Sequence, residues 1–283
     1  MNVEEPVRKP QFAGRFLPVE AEEQRGLLEG WVTPVVSGPR AAGLVLPHGP
    51  WSDIGSLVGA ALSSTRLEEV VVLLAPNHLC RGPRATIVSE GTFVLPTGNV
   101  PIDNALAESL RALGGLTELP EVLGREHAIE VLLPLLLAAQ PRLSIVPVVL
   151  HDLALPAARR IGHALADAVV ARGGVTIVAT SNLAHYVPAA AVGAATDGLL
   201  AALAPGDIEG FVGALRAREE QHDGAIVETC GLSTLLVYLE ALAHLGGVGE
   251  GRVVARGQSR DAKHPEGSVV AYASLVHPRV PRH

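Results

Sequence analysis

Four runs of apolar residues punctuate the chain: Gly43–Pro47, Val70–Ala75, Ser144–Leu150 and Val175–Thr180. Each is short, rich in Val, Ile and Leu, and bounded by glycine, proline or polar residues. A strand covered on both faces reads this way, because no position needs to be polar. Between and after the runs the apolar positions recur at helical spacing. Glu20–Trp31 places Leu27, Leu28 and Trp31 on one face. Asp53 is positioned to cap a helix over Ile54–Ser64, whose Gly55, Gly59, Ala60 and Ala61 permit close packing on a sheet. Asp103 starts a helix reaching about Leu113, and Glu126 opens one that continues to Ala139 despite Pro134. Ala154–Ala171 is a helix ended by Gly173-Gly174.

The segments left over fit around this frame. Residues 1–20 carry Pro6, Pro10 and Pro18 and read as an irregular arm pinned by Phe12 and Phe16. Ala85–Ser89 and Thr92–Leu95 read as a hairpin around Glu90-Gly91, broken by Pro96-Thr97-Gly98. Beyond the fourth run come helices over Ala189–Leu203 and Asp207–Glu219 and a polar loop at Glu220–Gly224. A helix over Leu232–Leu245 stops at Gly246-Gly247, and Arg252–Gln258 and Ser268–Val276 are closing strands. The alternation of strand and helix, with no linker or repeat, predicts one α/β domain over residues 1–283. It is a sandwich with a mostly parallel central sheet covered by helices.

Composition narrows the class. Of the 283 residues, 48% are hydrophobic and only 3% aromatic, which supplies a large aliphatic core and argues against disorder. The net charge of −7 argues against a nucleic-acid partner, which needs a basic face. Two cysteines, Cys80 and Cys230, are too few for a disulfide framework. Met1–Glu5 is acidic with no apolar leader, and the longest apolar stretch, Val131–Ala139, contains a proline and is too short for a membrane span. The expectation is a soluble cytoplasmic protein without a membrane partner.

The candidate chemistry sits at the ends of the apolar runs. Leu46-Pro47 is followed by His48, Ala75-Pro76-Asn77 by His78, and Ser181-Asn182-Leu183-Ala184 by His185. In an open α/β sheet, ligands bind outside the carboxyl ends of the strands. One such histidine alone reads as a rim residue bonded to a loop. If the first two strands are neighbours, their imidazoles lie side by side, and converging histidines are a usual way to hold a transition metal. His127 and Glu130 lie one turn apart on a helical face, either as a pocket wall or as a capping and salt-bridge pair. Cys80 reads as a small packed side chain. His151, His163, His222, His244, His264, His277 and His283 read as structural or surface residues. No His-Glu-x-x-His or Cys-x-x-Cys pattern occurs, so spacing alone does not define a metal site.

Taken together the motifs carry a resemblance. Leu-Pro-His-Gly at 46–49, Ala-Pro-Asn-His at 75–78, Glu-His-Ala-Ile-Glu at 126–130, Thr-Ser-Asn-Leu-Ala-His at 180–185, Thr-Cys-Gly at 229–231 and Ser-Val-Val-Ala-Tyr-Ala at 268–273 stand in one order. With Arg8–Phe16 at the start, this order resembles the Memo family, whose bacterial and archaeal members are called AmmeMemoRadiSam system protein B. The resemblance implies a fold similar to that of class III extradiol (LigB-type) dioxygenases. It implies metal ligands at His48, His78 and Cys230, and an acid/base histidine at His185.

Two departures bear on this. Gly49-Pro50-Trp51 stands where the family has Ala-Gly-Tyr, and Asn182 stands where it has aspartate, which removes a charge and a partner for His185. Fe(II) is the first expectation for the ion, with copper or zinc as alternatives because a thiolate is a softer ligand than a carboxylate. The expected function is a metal-dependent oxidoreductase acting on a small molecule. The alternative is a non-catalytic module that binds metal or a peptide in the same cleft. A third reading makes Cys230 a nucleophile activated by His48 or His78. Oligomeric state is not legible.

Overall fold

In the computed structural model, which describes residues 6–221, 228–259 and 268–280, the four apolar runs form the centre of a nine-stranded sheet. Ala41–Leu46, Val175–Thr180, Val70–Pro76 and Ser144–Leu150 lie in that order and are mutually parallel. All but Ser144 of their residues are buried, which is why they show no apolar–polar alternation. Antiparallel strands finish both sides. Ser268–Pro278 pairs with Ala41–Leu46 and also carries Ala184–Pro188 and Arg252–Gln258. At the other side Ala85–Ile87 pairs with Ser144–Leu150, and Thr117–Glu118 forms the edge. One contiguous apolar core runs from Leu17 to Val276. The α/β sandwich with a largely parallel centre is the expected fold.

Several local expectations are corrected. Ala85–Ser89 and Thr92–Leu95 do not form a hairpin. Thr92–Leu95 belongs to a separate three-stranded sheet, antiparallel to Gly98–Pro101 and parallel to Val7–Arg8 of the arm. Gly91 explains the difference: at φ +117 a Cβ there would stand 2.6 Å from the Pro6 carbonyl oxygen, so glycine is what lets the arm dock. The helix expected from Glu126 to Ala139 is split into His127–Glu130 and Leu133–Ala139. A proline at 134 lacks an N–H and would collide with the carbonyl four residues back, so a new helix begins around it. The carbonyl of Val131, released at the break, accepts the Trp51 indole N–H at 2.8 Å. Gly55 and Gly59 do not lie on the sheet. They receive Trp31 from the Ala21–Trp31 helix, whose ring and backbone come within 2.3 Å of where their Cβ atoms would stand.

Of the polar loop expected at Glu220–Gly224, only Glu220 and Gln221 are described, at the end of the Ile208–Gln221 helix. His222, His264 and His283 lie outside the described residues. No helix among the described residues is long and apolar enough to cross a membrane.

The Leu232–Leu245 helix, which follows Cys230, is fixed to the sheet by a buried polar chain. His277 donates from Nε2 to the Leu203 carbonyl at 3.0 Å, so its Nδ1 accepts the Tyr238 hydroxyl at 2.8 Å. Tyr238 fits only because position 43 has no side chain: a Cβ on Gly43 would lie 2.6 Å from the phenol oxygen. Gly43→Ala is therefore expected to cost about 1–3 kcal/mol through overpacking. Urea unfolding should show a lowered midpoint at unchanged slope. Gly26→Ala, with nothing within 4 Å of its Cβ, is the control and should be neutral or slightly stabilising. An unchanged midpoint for Gly43→Ala would refute the packing argument.

Candidate metal centre

His48 and His78 leave strands that are not neighbours, because Val175–Thr180 runs between them. Two strand spacings separate their exits by about 10 Å. The rings still meet, since both loops bend over the end of the middle strand. His48 Nε2 lies 3.2 Å from His78 Nε2 and 3.3 Å from Cys230 Sγ. Ligand atoms of all three residues lie within 4.8 Å of one another. Cys230 reaches them from the turn before Leu232–Leu245, where Gly231 passes against the middle strand. A Cβ on Gly231 would stand 2.6 Å from the Thr180 carbonyl oxygen, and its N–H donates to Ser181 Oγ at 3.0 Å. Asn182 ties the loops together. Its backbone N–H donates to Cys230 Sγ at 3.3 Å, and its side-chain Oδ1 accepts the His48 backbone N–H at 3.1 Å.

The hydrogen bonds fix which ring nitrogens carry protons. The Thr180 hydroxyl donates to the Leu46 carbonyl at 2.8 Å, so toward His48 Nδ1, at 2.9 Å, it acts as acceptor. His78 Nδ1 lies 2.9 and 3.0 Å from the two oxygens of Glu126 and must donate to that carboxylate. Both rings therefore carry hydrogen on Nδ1 and turn the Nε2 lone pair inward. Two lone pairs at 3.2 Å repel unless something positive lies between them.

Charge follows from this geometry. Burial holds His48 neutral, its pKa well below the usual value, and the neighbouring histidines add to the effect. Burial also acts to lower His78, but its hydrogen bonds to Cys230 and Glu126 and their charges win and raise it to about 10. One proton on His78 thus fills the gap in the metal-free chain. Glu126 is buried, which alone would raise its pKa, yet the bonds from His78 bring it below the ordinary carboxylate range. Burial lowers His127 to about 4, against the attraction of Glu126.

His48, His78 and His127 open on a cleft of about 600 Å³. His127 forms one wall, stacked between Phe16 at 4.3 Å and His78 at 4.6 Å between ring centroids. His185, on Ala184–Pro188, and Asn182 line the same cleft, as do Tyr272 and Asp53. The Tyr272 phenol is held protonated by burial first and by nearby Asp53 and Cys230.

Glu130 is not on the cleft wall. Its carboxylate accepts the backbone N–H groups of Gln11 and Phe12, both at 2.8 Å, and so clamps the arm that carries Phe16. It lines a separate cavity of about 220 Å³ beneath that arm. Cys80, expected to be packed, is exposed at φ +47, in a turn whose N–H bonds back to Asn77. His151 follows a fourth parallel strand, one further from the cluster, and does not line the cleft. His163 and His244 stack on each other at 4.2 Å on the helical surface, and His277 is the buried tether already described.

Sequence reasoning passed over Glu126, Thr180, Phe16 and Tyr272. Glu126 left a signal: its side chain accepts from Ala128 N–H at 2.8 Å as a helix cap, a place where Ser, Thr, Asp or Asn is the usual residue.

Comparison with known proteins agrees with the motif order. A family described as Memo-like protein matches residues 8–276. A MEMO1 family protein of Aquifex aeolicus is 28% identical over 274 residues, covering 95% of this chain and 98% of its own length. One from Nitrosopumilus maritimus is 24% identical over 280 residues, covering 95% and 98%. Among solved structures, an uncharacterized protein of Escherichia coli K12, JW3007, superposes with a TM-score of 0.59 at 19% identity, over 84% of this chain and 99% of that one, a likeness of fold alone. With its motifs in order and the match running nearly end to end, the chain belongs to the Memo family.

Proposed function

We propose that the chain binds a redox metal ion, Fe(II) in the first instance, through His48, His78 and Cys230, and uses it in dioxygenase-like oxidation of a small molecule held in the cleft. The observation that carries this reading is the convergence of the His48 and His78 Nε2 atoms, 3.2 Å apart, with Cys230 Sγ 3.3 Å from His48 Nε2. The donor set fits the ion: two neutral imidazoles and one thiolate leave positions open on iron, and the soft sulfur also suits copper or zinc. When bound, such an ion supplies Lewis acidity and, for iron or copper, electrons.

The chain's own residues do the rest. Thr180 and Glu126 fix both rings in the tautomer that presents Nε2, and Glu126 also makes His78 a stronger donor. Asn182 holds the His48 and Cys230 loops in register. Phe16 and neutral His127 exclude water along one wall. His185 takes or returns a proton at its ring nitrogen, and the protonated Tyr272 hydroxyl donates a hydrogen bond.

One observation favours a second reading, a non-catalytic module that binds metal or a peptide. Asn182 offers an amide where the family has a carboxylate, and its oxygen is already occupied by the His48 N–H. The two readings separate experimentally. Protein purified without oxygen is expected to carry about one metal ion per chain by elemental analysis, and Cys230→Ala to lose it. Oxygen uptake with catechols should then vanish in His185→Ala while the metal stays. Metal without His185-dependent uptake supports the module, and a chain that cannot be loaded under reducing conditions rejects the oxidation reading and leaves only a peptide-binding module.

Glu126→Gln should weaken metal affinity roughly 10- to 100-fold, measured by competition with a chelator, because the His78 ring loses its anionic anchor. Since His78 holds a proton up to about pH 10, loading must expel it. Metal affinity should therefore rise with pH between 6 and 9, at least about tenfold per unit for the His78 proton and more where the Cys230 thiol also gives one up, with acid released into weak buffer. The same titration on Glu126→Gln should show a shallower slope.

A further inference from the structure

Arg15 is the one lysine or arginine among the described residues lining the cleft, and no function is yet attached to it. Its guanidinium stands over the Phe16 ring, 5.2 Å from the centroid. Phe16 stacks on His127, and His127 on His78, so the cation ends a continuous stack that begins at the metal candidates. No ion pair or side-chain hydrogen bond engages it among the described residues, so its donors face the cleft and solvent.

Its support is rigid. Arg15 N–H and Phe16 N–H both bond to the Phe12 carbonyl at 3.1 Å, Gly14 N–H to Leu17 at 2.7 Å, and Trp51 N–H to the Phe16 carbonyl at 2.7 Å. The Glu130 carboxylate clamps the start of the same turn. A cation presented on a fixed turn loses little entropy when it binds a partner. Its planar fork matches a carboxylate or phosphate in two parallel hydrogen bonds. Asp53, in the first turn of Trp51–Leu62, is the carboxylate of the lining, and it lies near Tyr272.

From this geometry we infer that Arg15 is the anion-recognising residue of the cleft, and that the ligand entering it carries a carboxylate or phosphate group. The inference rests on the cleft being the binding site, as in the function proposed above, and names the class of molecule it admits.

The test measures binding of benzoate, phenyl phosphate and neutral benzamide by calorimetry, on metal-loaded and metal-free protein, with metal content determined in parallel. At least one anion should bind roughly tenfold or more tighter than benzamide, as expected for a charge-assisted contact. Whichever anion binds more tightly tells carboxylate from phosphate. Arg15→Met should abolish the preference while leaving metal content unchanged, and Arg15→Lys should restore part of it. Equal binding of benzamide and both anions overturns the proposal, as does a preference that survives Arg15→Met. Anion binding that disappears with the metal and ignores Arg15 also overturns it. A chain that takes up no metal, yet shows the Arg15-dependent preference, sustains this inference while the metal reading fails.

Discussion

The site depends on an electrostatic constraint. Two imidazoles whose Nδ1–H groups are committed, one to a threonine hydroxyl and one to a carboxylate, bring their Nε2 atoms within 3.2 Å of each other. Left alone, that arrangement would push the loops apart. If both Nε2 atoms were bare they would repel, and the hydrogen bonds and charges of Cys230 and Glu126 favour a proton on His78 that removes the repulsion. The four central strands hold the loops where this frustration cannot relax. Burial of His48 to 1% exposure keeps water from resolving it instead.

The sequence made the sheet legible because strands buried on both faces leave a plain apolar signature. It also pointed to His48, His78 and His185, since each follows such a run. Lateral order was not legible: nothing local to residues 41–46 or 70–76 says that 175–180 will lie between them. The insertion turned out to help, because it supplies Thr180 to the His48 ring and Asn182 to the His48 and Cys230 loops. Glu126 stayed hidden because its capping role looks ordinary. Glu130 was misplaced because helical phase gives a face but not its neighbour, and that neighbour was the arm. Cys80 was misread because a left-handed turn carries no clear signal when the residue is not glycine or asparagine.

The arm shows how irregular chain is made precise. It has little regular structure, yet Glu130, Trp51 and the Gly91 turn fix it at separate points. Through Phe16 it completes the aromatic wall against His127. The cleft therefore has one side built by the sheet and another by a segment that the sheet does not contain.

The distance along the chain between the donors has a kinetic consequence. His48 and Cys230 are 182 residues apart, and Cys230 sits in the turn that leads into the Leu232–Leu245 helix. On the ribosome the two histidine loops emerge long before their third companion does. Their rings meet only once Val175–Thr180 lies between the two strands, and Cys230 follows Asn182 by 48 residues. Assembly of the His48, His78 and Cys230 cluster therefore waits on translation of the carboxyl-terminal quarter.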